Sequence, residues 1–329
     1  MLSGAYLGND FADILRRQPA QLEIMLQIAP KRSDPMRRVS VFFLILFSVV
    51  TGLHTVAQDA AAADYRIGVL AKRGSAKALE QWGPTAEYLT RKLQKSFVIV
   101  PLKFTEIEPA LKNREIDYLL ANSAFYATFQ SPYNLRAILT MVNRRGKVAR
   151  KEFGGVIFTR SDSGINSIDA LKGKDFMCVK YSSFGGAHMA WRLLLDKGID
   201  PKRDFKSFKE GGTHDKVVMA VKSGAVAAGT VRSDTLERMQ DEGKININDF
   251  KIINRVTDTF PFIHSTQLYP EWPLVVCSTV DKKEWRKVAK ALMLLPTAHE
   301  VLNAAKVYKW TYPSDYAQVT ECLKVVGLI

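Results

Sequence analysis

Three short turns in this 329-residue chain concentrate small hydroxyl, amide and glycine residues. They are Ala121-Asn122-Ser123-Ala124, Tyr181-Ser182-Ser183-Phe184-Gly185-Gly186 and Gly211-Gly212-Thr213-His214-Asp215. Backbone N–H groups at a helix start, with serine, threonine or asparagine side chains beside them, suit a tetrahedral oxyanion. The same residue types also cap helices, which is all that one such turn establishes; three of them point to a shared cleft. Arg232 and Asp234 close a strand-like run, and arginine grips an anion with a planar fork that lysine lacks, unless Asp234 takes it as an ion-pair partner. Arg73, beside Lys72, lies in the turn after the first strand-like run. His214 can donate a hydrogen bond to a ligand or change charge at about pH 6.5.

Patterns for turnover are missing: there is no G-x-S-x-G elbow, no P-loop, no H-E-x-x-H and no G-x-G-x-x-G fingerprint. Five histidines leave few general bases, so an enzyme stands behind binding readings, and no cofactor or metal is expected. Cys178, Cys277 and Cys322 are widely spaced with no C-x-x-C, and Cys178 and Cys277 sit in apolar runs as small hydrophobes. The chain carries 47 Lys and Arg against 33 Asp and Glu, a net of +14, but no run of five or six basic residues and no nucleic-acid motif. A scattered basic balance favours small anions over nucleic acid.

The elements that hold these turns alternate. Tyr65 to Leu70 and Phe97 to Leu102 read as strands around a helix carrying Trp82, Ala86, Leu89 and Leu93 on one face. A strand at Ile116 to Ala121 and a helix at Ser123 to Phe129 follow. A second block has strands at Phe153 to Thr159, Phe176 to Val179, Ala225 to Val231 and Phe250 to Ile253, with helices at Gly186 to Lys197, His214 to Lys222 and Asp234 to Asp241. A last strand at Leu274 to Ser278 and helices near Glu284 to Leu295 and Tyr316 to Val325 are too little for a third domain. The spacing predicts two α/β lobes, with the end of the chain closing back on the first. Expected boundaries are 64–155 for the first lobe, 156–256 for the second and 257–329 for the return.

Val39 to Leu53 is apolar but only 15 residues long, short of the about 20 that a spanning helix needs. Met36-Arg37-Arg38 before it and Thr55 to Ala63 after it give 36–63 the form of a secretory signal, with cleavage after Ala57 or within Ala60 to Ala63, the alternative being an uncleaved membrane anchor. Residues 1–35 then read as an upstream extension, with translation starting at Met36.

Taken in order, Arg66-Ile67-Gly68-Val69, Asp117 to Asn122, Tyr181 to Gly186, Thr213 to Val218, Ser223-Gly224 and Val231 to Asp234 resemble the periplasmic phosphate, phosphite and phosphonate ABC-transporter binding proteins. Tyr269-Pro270-Glu271-Trp272-Pro273 is closer to a sister branch, the periplasmic sensor domains of tetrathionate-type histidine kinases. The resemblance covers residues 64 to 325. It implies a type II periplasmic-binding-protein fold: two lobes joined by two crossings, closing on an anion. Carried over, Ser182, Ser183, Thr213 and His214 bind the oxyanion, and Asn122, Ser123 and Tyr126 oppose them from the other lobe. A Ser-Ser-Phe-Gly turn replaces the family's Ser-Thr-Ser-Gly-like one, and Arg232 adds positive charge beside the expected acid, which suits a fully ionised anion. The expected protein is a periplasmic monomer that binds a phosphorus or sulfur oxyanion and serves a membrane ABC permease or, alternatively, a sensor kinase on a separate chain.

Overall fold

Two sheets organise residues 63–329, the part of the chain that the computed structural model describes. The leader at 1–35 and the signal segment, apart from Ala63, lie outside the described residues. The first lobe opens with β1 (Tyr65–Leu70), α1 (Ser75–Leu93), β2 (Phe97–Leu102), α2 (Ile107–Lys112), β3 (Tyr118–Leu120), α3 (Ser123–Phe129), β4 (Arg136–Arg145) and β5 (Val148–Arg150). A crossing strand, β6 (Glu152–Phe153), leads to β7 (Gly155–Arg160) and β8 (Asp175–Cys178) of the second lobe. There the chain continues through α4 (Met189–Asp196), α5 (Pro201–Asp204), β9 (Ser207–Glu210), α6 (His214–Lys222), β10 (Ala228–Arg232), α7 (Thr235–Asp241) and β11 (Phe250–Ile253). The return runs through β12 (Tyr269–Pro270), β13 (Pro273–Val276), α8 (Lys282–Met293), α9 (Glu300–Ala305), β14 (Val307–Thr311) and α10 (Ala317–Val325).

The first sheet is ordered β14-β4-β13-β3-β1-β2, with β5 hairpinned on β4. Strand β1 lies parallel to both neighbours, with Ile67 opposite Ile99 and Tyr118, while β13, β4 and β14 run antiparallel. Strand β4 is absent from the sequence reading. It sits inside the sheet with Ile138 to Val142 buried without a break, so it lacks the alternation that marks a half-exposed strand. The second sheet is ordered β11-β7-β10-β8-β9. Consecutive residues of β7 feed opposite faces: Phe158 packs with Val217, Val221 and Leu236, whereas Ile157 packs with Leu171, Phe176 and Leu194.

The two crossings are paired. β6 and β12 run antiparallel, Tyr269 opposite Phe153 and Pro270 opposite Glu152. A separate core covers them, in which Phe153, Phe184, Met189 and Tyr269 meet Tyr316, just before α10, and Val319 and Leu323 within it. Helix α10 therefore belongs to the hinge as much as to either lobe. The expected boundaries place the return at 257, but residues 254–268 remain on the second lobe. There Ser265 N–H donates to Gly155 O at 2.8 Å and its hydroxyl to Ile253 O at 2.7 Å. The chain changes lobe at Tyr269-Pro270, and the second sheet begins at Gly155.

Direct contacts tie the lobes to the hinge and to each other. Ser123 at the start of α3 is fully buried, and its hydroxyl donates to Pro270 O at 3.0 Å. Arg192 of α4 pairs with Glu321 of α10 at 3.1 Å, and Arg145 of β4 with Asp241 of α7 at 2.6 Å. Ser123→Ala leaves the Pro270 carbonyl without that donor in a site closed to water. We expect a loss of about 1–3 kcal/mol of unfolding free energy in urea titration, and an unchanged value removes Ser123 as the tie.

Candidate functional site

The two sheets aim the carboxyl ends of their parallel strands at one another. β1 runs into Lys72-Arg73-Gly74 and then α1, and β3 into Asn122 and then α3. Across the cleft, β8 leads to Ser183, β9 to Gly212-Thr213-His214, and β10 ends on Arg232 itself. Strands β10, β8 and β9 are mutually parallel, so these three loops share one edge of the second sheet. That is where α/β sheets bind ligands, because helix N-termini leave N–H groups unpaired there.

Two adjoining chambers fill the cleft. The inner one, about 30 Å³, is walled by Phe104 and Trp272 from the first lobe side and by Phe153 and Phe184 opposite, with Asn122, Ser183, Thr213 and Arg232 supplying polar atoms. The outer one, about 420 Å³, is bordered mainly by Arg73, Lys77, Arg144, Arg145, Arg238 and Lys306. Lys72, Thr213, His214 and Arg232 line both.

Local chemistry fixes each donor. Thr213 caps α6, its Oγ1 accepting from Lys216 N–H at 3.3 Å, which leaves its own proton to give. Gly212 before it has φ 85°, a conformation that side chains resist. Asn122 caps α3 through Oδ1, accepting from Ala124 N–H at 3.1 Å, so its amide nitrogen is not spent on the cap. Ser183 makes no capping bond and opens a single π-helical turn, Phe184–His188, a local widening that recurs at functional sites. That turn can only be built on glycine: a Cβ at Gly185 falls 2.7 Å from the Phe153 ring and 2.9 Å from Arg232 Cβ, and one at Gly186 falls 2.5 Å from Val179 Cγ2.

His214 is held neutral. Its Nδ1 accepts the backbone N–H of Arg232 at 3.3 Å, which assigns the ring proton to Nε2. Burial, with the charges of Lys72, Arg232 and Arg238 adding to it, holds its pKa well below the usual histidine value. Lys72 is exposed at the cleft mouth, where it lines both chambers with its ammonium 4.7 Å from the centre of the Trp272 ring. Burial, reinforced by the Arg232 guanidinium, pushes it down to about 8.

Arg232 is 8% exposed and Glu271 1% exposed, and they meet at 2.7 Å. Arg232 also lies 4.4 Å over the Phe153 ring and 3.5 Å from Asp234. Burial works against its charge, but Glu271 and Asp234 outweigh it and hold the guanidinium protonated above its ordinary value. Burial raises the Asp234 pKa although Arg232 opposes the shift. Asp234 adopts φ 73°, an uncommon backbone state for a residue with a side chain. Glu271 Oε1 also accepts from Asn143 at 3.2 Å, while Oε2 is buried with no partner among the described residues.

Of the expected residues, the cleft gathers Asn122, Ser183, Thr213, His214 and Arg232 in the inner chamber, and Arg73 and Asp234 in the outer. Three stand elsewhere. Ser123 is committed to Pro270. Tyr126 packs edge-on against Tyr316 at 5.2 Å and borders surface hollows away from the cleft. Ser182 is half-buried and lines neither chamber. Asp234 faces Arg232, so that pairing, offered as an alternative use of the arginine, is present alongside its place in the cleft. The sequence reading missed Glu271 and the aromatic walls; one acid between Tyr269-Pro270 and Trp272-Pro273 gives no local pattern, though its place beside a proline-rich crossing was a usable signal.

Residues 67–317 match the family described as the ABC transporter, phosphonate, periplasmic substrate-binding protein. The chain is 31% identical over 281 residues to the tetrathionate sensor histidine kinase TtrS of Salmonella typhimurium; the match takes in 85% of this chain and 46% of that protein, so the chain spans about half the length of this curated relative. A binding-protein component of an ABC phosphonate transporter from Pseudomonas aeruginosa superposes with a TM-score of 0.65 at 14% identity, over 80% of this chain and 86% of that one. PhnD1 from Prochlorococcus marinus, in complex with methylphosphonate, gives 0.62 at 16% identity, over 80% and 98%. These structures establish the type II periplasmic-binding-protein fold.

Two outcomes follow from the charges. Glu271→Ala takes the nearer acid from a buried guanidinium, leaving it only Asp234 at 3.5 Å, and is expected to cost up to about 3–5 kcal/mol in chemical denaturation, against a small change for an exposed acid. Because Lys72 titrates at about 8 instead of the ordinary 10.5, affinity for a permanently ionised anion should be full below that pH and fall as pH rises through it. Without ligand the sign reverses: the unfolded chain keeps the proton longer, so stability rises between these two values. Lys72→Met should flatten the binding profile by calorimetry, and a retained step shows that another group titrates.

Proposed function

The chain belongs to the periplasmic substrate-binding family of phosphonate ABC transporters, and from that premise we propose that it captures a small phosphorus or sulfur oxyanion between its lobes. The protein is a binding protein and not an enzyme, as its family is. The observation that carries the oxyanion reading is the inner chamber. Donors converge there from both lobes: Asn122 from one, Ser183, Thr213 and neutral His214 from the other, with the Arg232 guanidinium beside them. Glu271 and Asp234, the acids nearest them, share Arg232 and lie within the field of Lys72, which together offset their charge.

Aromatic walls lower the local dielectric around these donors, which strengthens each contact with a charged oxygen. The paired crossings β6 and β12 are the two points at which the lobes can rotate, so ligand capture is read as hinge closure. Export through the 36–63 signal, action as a monomer in the periplasm and delivery to a membrane ABC permease complete this reading. A second reading is favoured by one observation, the 31% identity to a sensor kinase: the liganded protein reports the anion to a kinase instead of a permease. Reconstitution separates them, since transport requires the bound protein to stimulate permease ATPase activity and sensing requires it to change kinase autophosphorylation.

The direct test is a thermal-shift screen followed by calorimetry with phosphate, methylphosphonate, sulfate, thiosulfate and tetrathionate. At 100 times its dissociation constant a ligand adds about 2.7 kcal/mol of stability. Ser183→Ala and Thr213→Val each remove one bond to a charged oxygen and should weaken binding by about 1.5–3 kcal/mol, roughly 10- to 150-fold. A screen in which no anion shifts the wild type, or in which both variants bind as tightly as it does, refutes the proposal.

A further inference from the structure

The outer chamber has a charge pattern that a compact oxyanion held in the inner chamber does not use. Its two acids are outnumbered: Asp215 is taken by Arg238 and by Lys244 at 3.5 Å, and Asp234 shares Arg232 with Glu271. Its cations are in excess. Arg73 and Lys306 make no salt bridge among the described residues; Lys72, which stands where the chambers meet, makes none either, though it feels Glu271 and Asp234 at longer range. Arg144 spends its guanidinium on the neutral oxygens of Asn303 and Thr297, which leaves its charge uncompensated. Lys77 and Arg145, by contrast, pair with Glu80 and Asp241, which lie outside the chamber wall.

The positions are held by the fold. Arg73 precedes Gly74, whose φ of 94° turns the chain into α1, and Lys306 adopts φ 57° at the end of α9, immediately before β14. Strand β14 pairs with β4, and Arg144 N–H donates to Lys306 O at 2.9 Å, so the Arg144 and Lys306 backbones are locked side by side. Three separate segments of the first lobe thus bring uncompensated positive charge to one wall of a 420 Å³ space that opens from the inner chamber. A cationic group there meets an excess of like charge, and an apolar group leaves the charges unanswered. An anionic group meets complementary charge.

We propose that the ligand carries two separated anionic groups, one seated among the inner-chamber donors and the other among Arg73, Arg144 and Lys306. This rests on the oxyanion reading above and deepens it: it selects doubly anionic, elongated molecules over compact oxyanions, and over oxyanions that bear an amine at the far end. Lys72, between the chambers, faces the middle of such a molecule and contributes to both ends.

The test compares three molecules that share a phosphonate and differ at the far end, 3-phosphonopropionate, propylphosphonate and 3-aminopropylphosphonate, with 3-sulfopropionate and propanesulfonate as the sulfonate pair. Affinities are measured by calorimetry at fixed ionic strength. In whichever series binds, the carboxylate form is expected to bind at least about tenfold tighter than its propyl counterpart, with the amine the weakest. In an Arg73→Gln, Lys306→Gln double variant the ratio of carboxylate to propyl affinity should collapse towards one. Equal binding of the carboxylate and propyl forms by the wild type overturns this inference and leaves the oxyanion reading standing. A ratio that persists in the double variant overturns the assignment of the outer wall. Binding of neither series, together with a silent screen of inorganic anions, overturns the oxyanion reading and this inference with it.

Discussion

The buried pair of Arg232 and Glu271 is the constraint on which the cleft depends. Each group is costly to bury alone, and neither has enough water to dissolve its charge. Arg232 ends a strand of the second lobe; Glu271 follows the return crossing, two residues before β13 of the first. Joining them pins the base of the cleft to the hinge, with Phe153 of the other crossing stacked beneath the guanidinium. One arginine is shared by Glu271 and Asp234, so what the cleft presents to a ligand is set by how completely these acids are answered. Asn143 supplies a further hydrogen bond to Glu271 from β4, which brings the longest strand of the first sheet into the same network.

Around that base, donor geometry follows from backbone demands. The π-helical turn after β8 packs so closely on Phe153, Arg232 and Val179 that only glycine fits at 185 and 186. That closeness sets Ser183 at the chamber wall and also builds the apolar surface beneath it. Neutral His214 follows from the same economy of charge. With the ring buried and Lys72, Arg232 and Arg238 nearby, a fourth positive charge is disfavoured, and its Nδ1 is already occupied by the Arg232 backbone N–H. The ring can then act as a fixed single donor from Nε2, independent of pH through the neutral range.

How much of this was legible depends on how local the signal is. Helices α3 and α6 begin and end where the sequence reading places them, because Asn122 and Thr213 are caps that announce themselves within three residues. Strand β4 was invisible for the opposite reason: buried on both faces, it has no period to read, and its ends carry arginines. Thr213, Ser183 and Arg232 line the inner chamber, and the signal that singled them out, turn composition after a strand, is a local property. Ser123 and Tyr126 were misplaced because their partners, Pro270 and Tyr316, lie more than a hundred residues away, and a residue's neighbour across the hinge leaves no mark on its own segment. Glu271 was missed for the same reason, since its meaning comes from Arg232, 39 residues earlier in the chain.

The division between an aromatic inner chamber and a basic outer one bears on selectivity by size and hydration. Phe104, Phe153, Phe184 and Trp272 cannot replace the water that a small, strongly hydrated anion gives up, so such an anion gains only the few polar contacts and forfeits its shell. An anion that brings an apolar or weakly hydrated portion loses less water there and satisfies the walls, while its charge remains for Arg232, Thr213 and Ser183. The outer cations then act twice. They raise the local concentration of anions at the mouth, and they reward molecules long enough to leave one charge outside when the other is seated within. Discrimination of this kind needs no catalytic group and no change in the inner donors. It needs the two chambers to stay in register, which returns the requirement to the hinge and to the buried pair at its base.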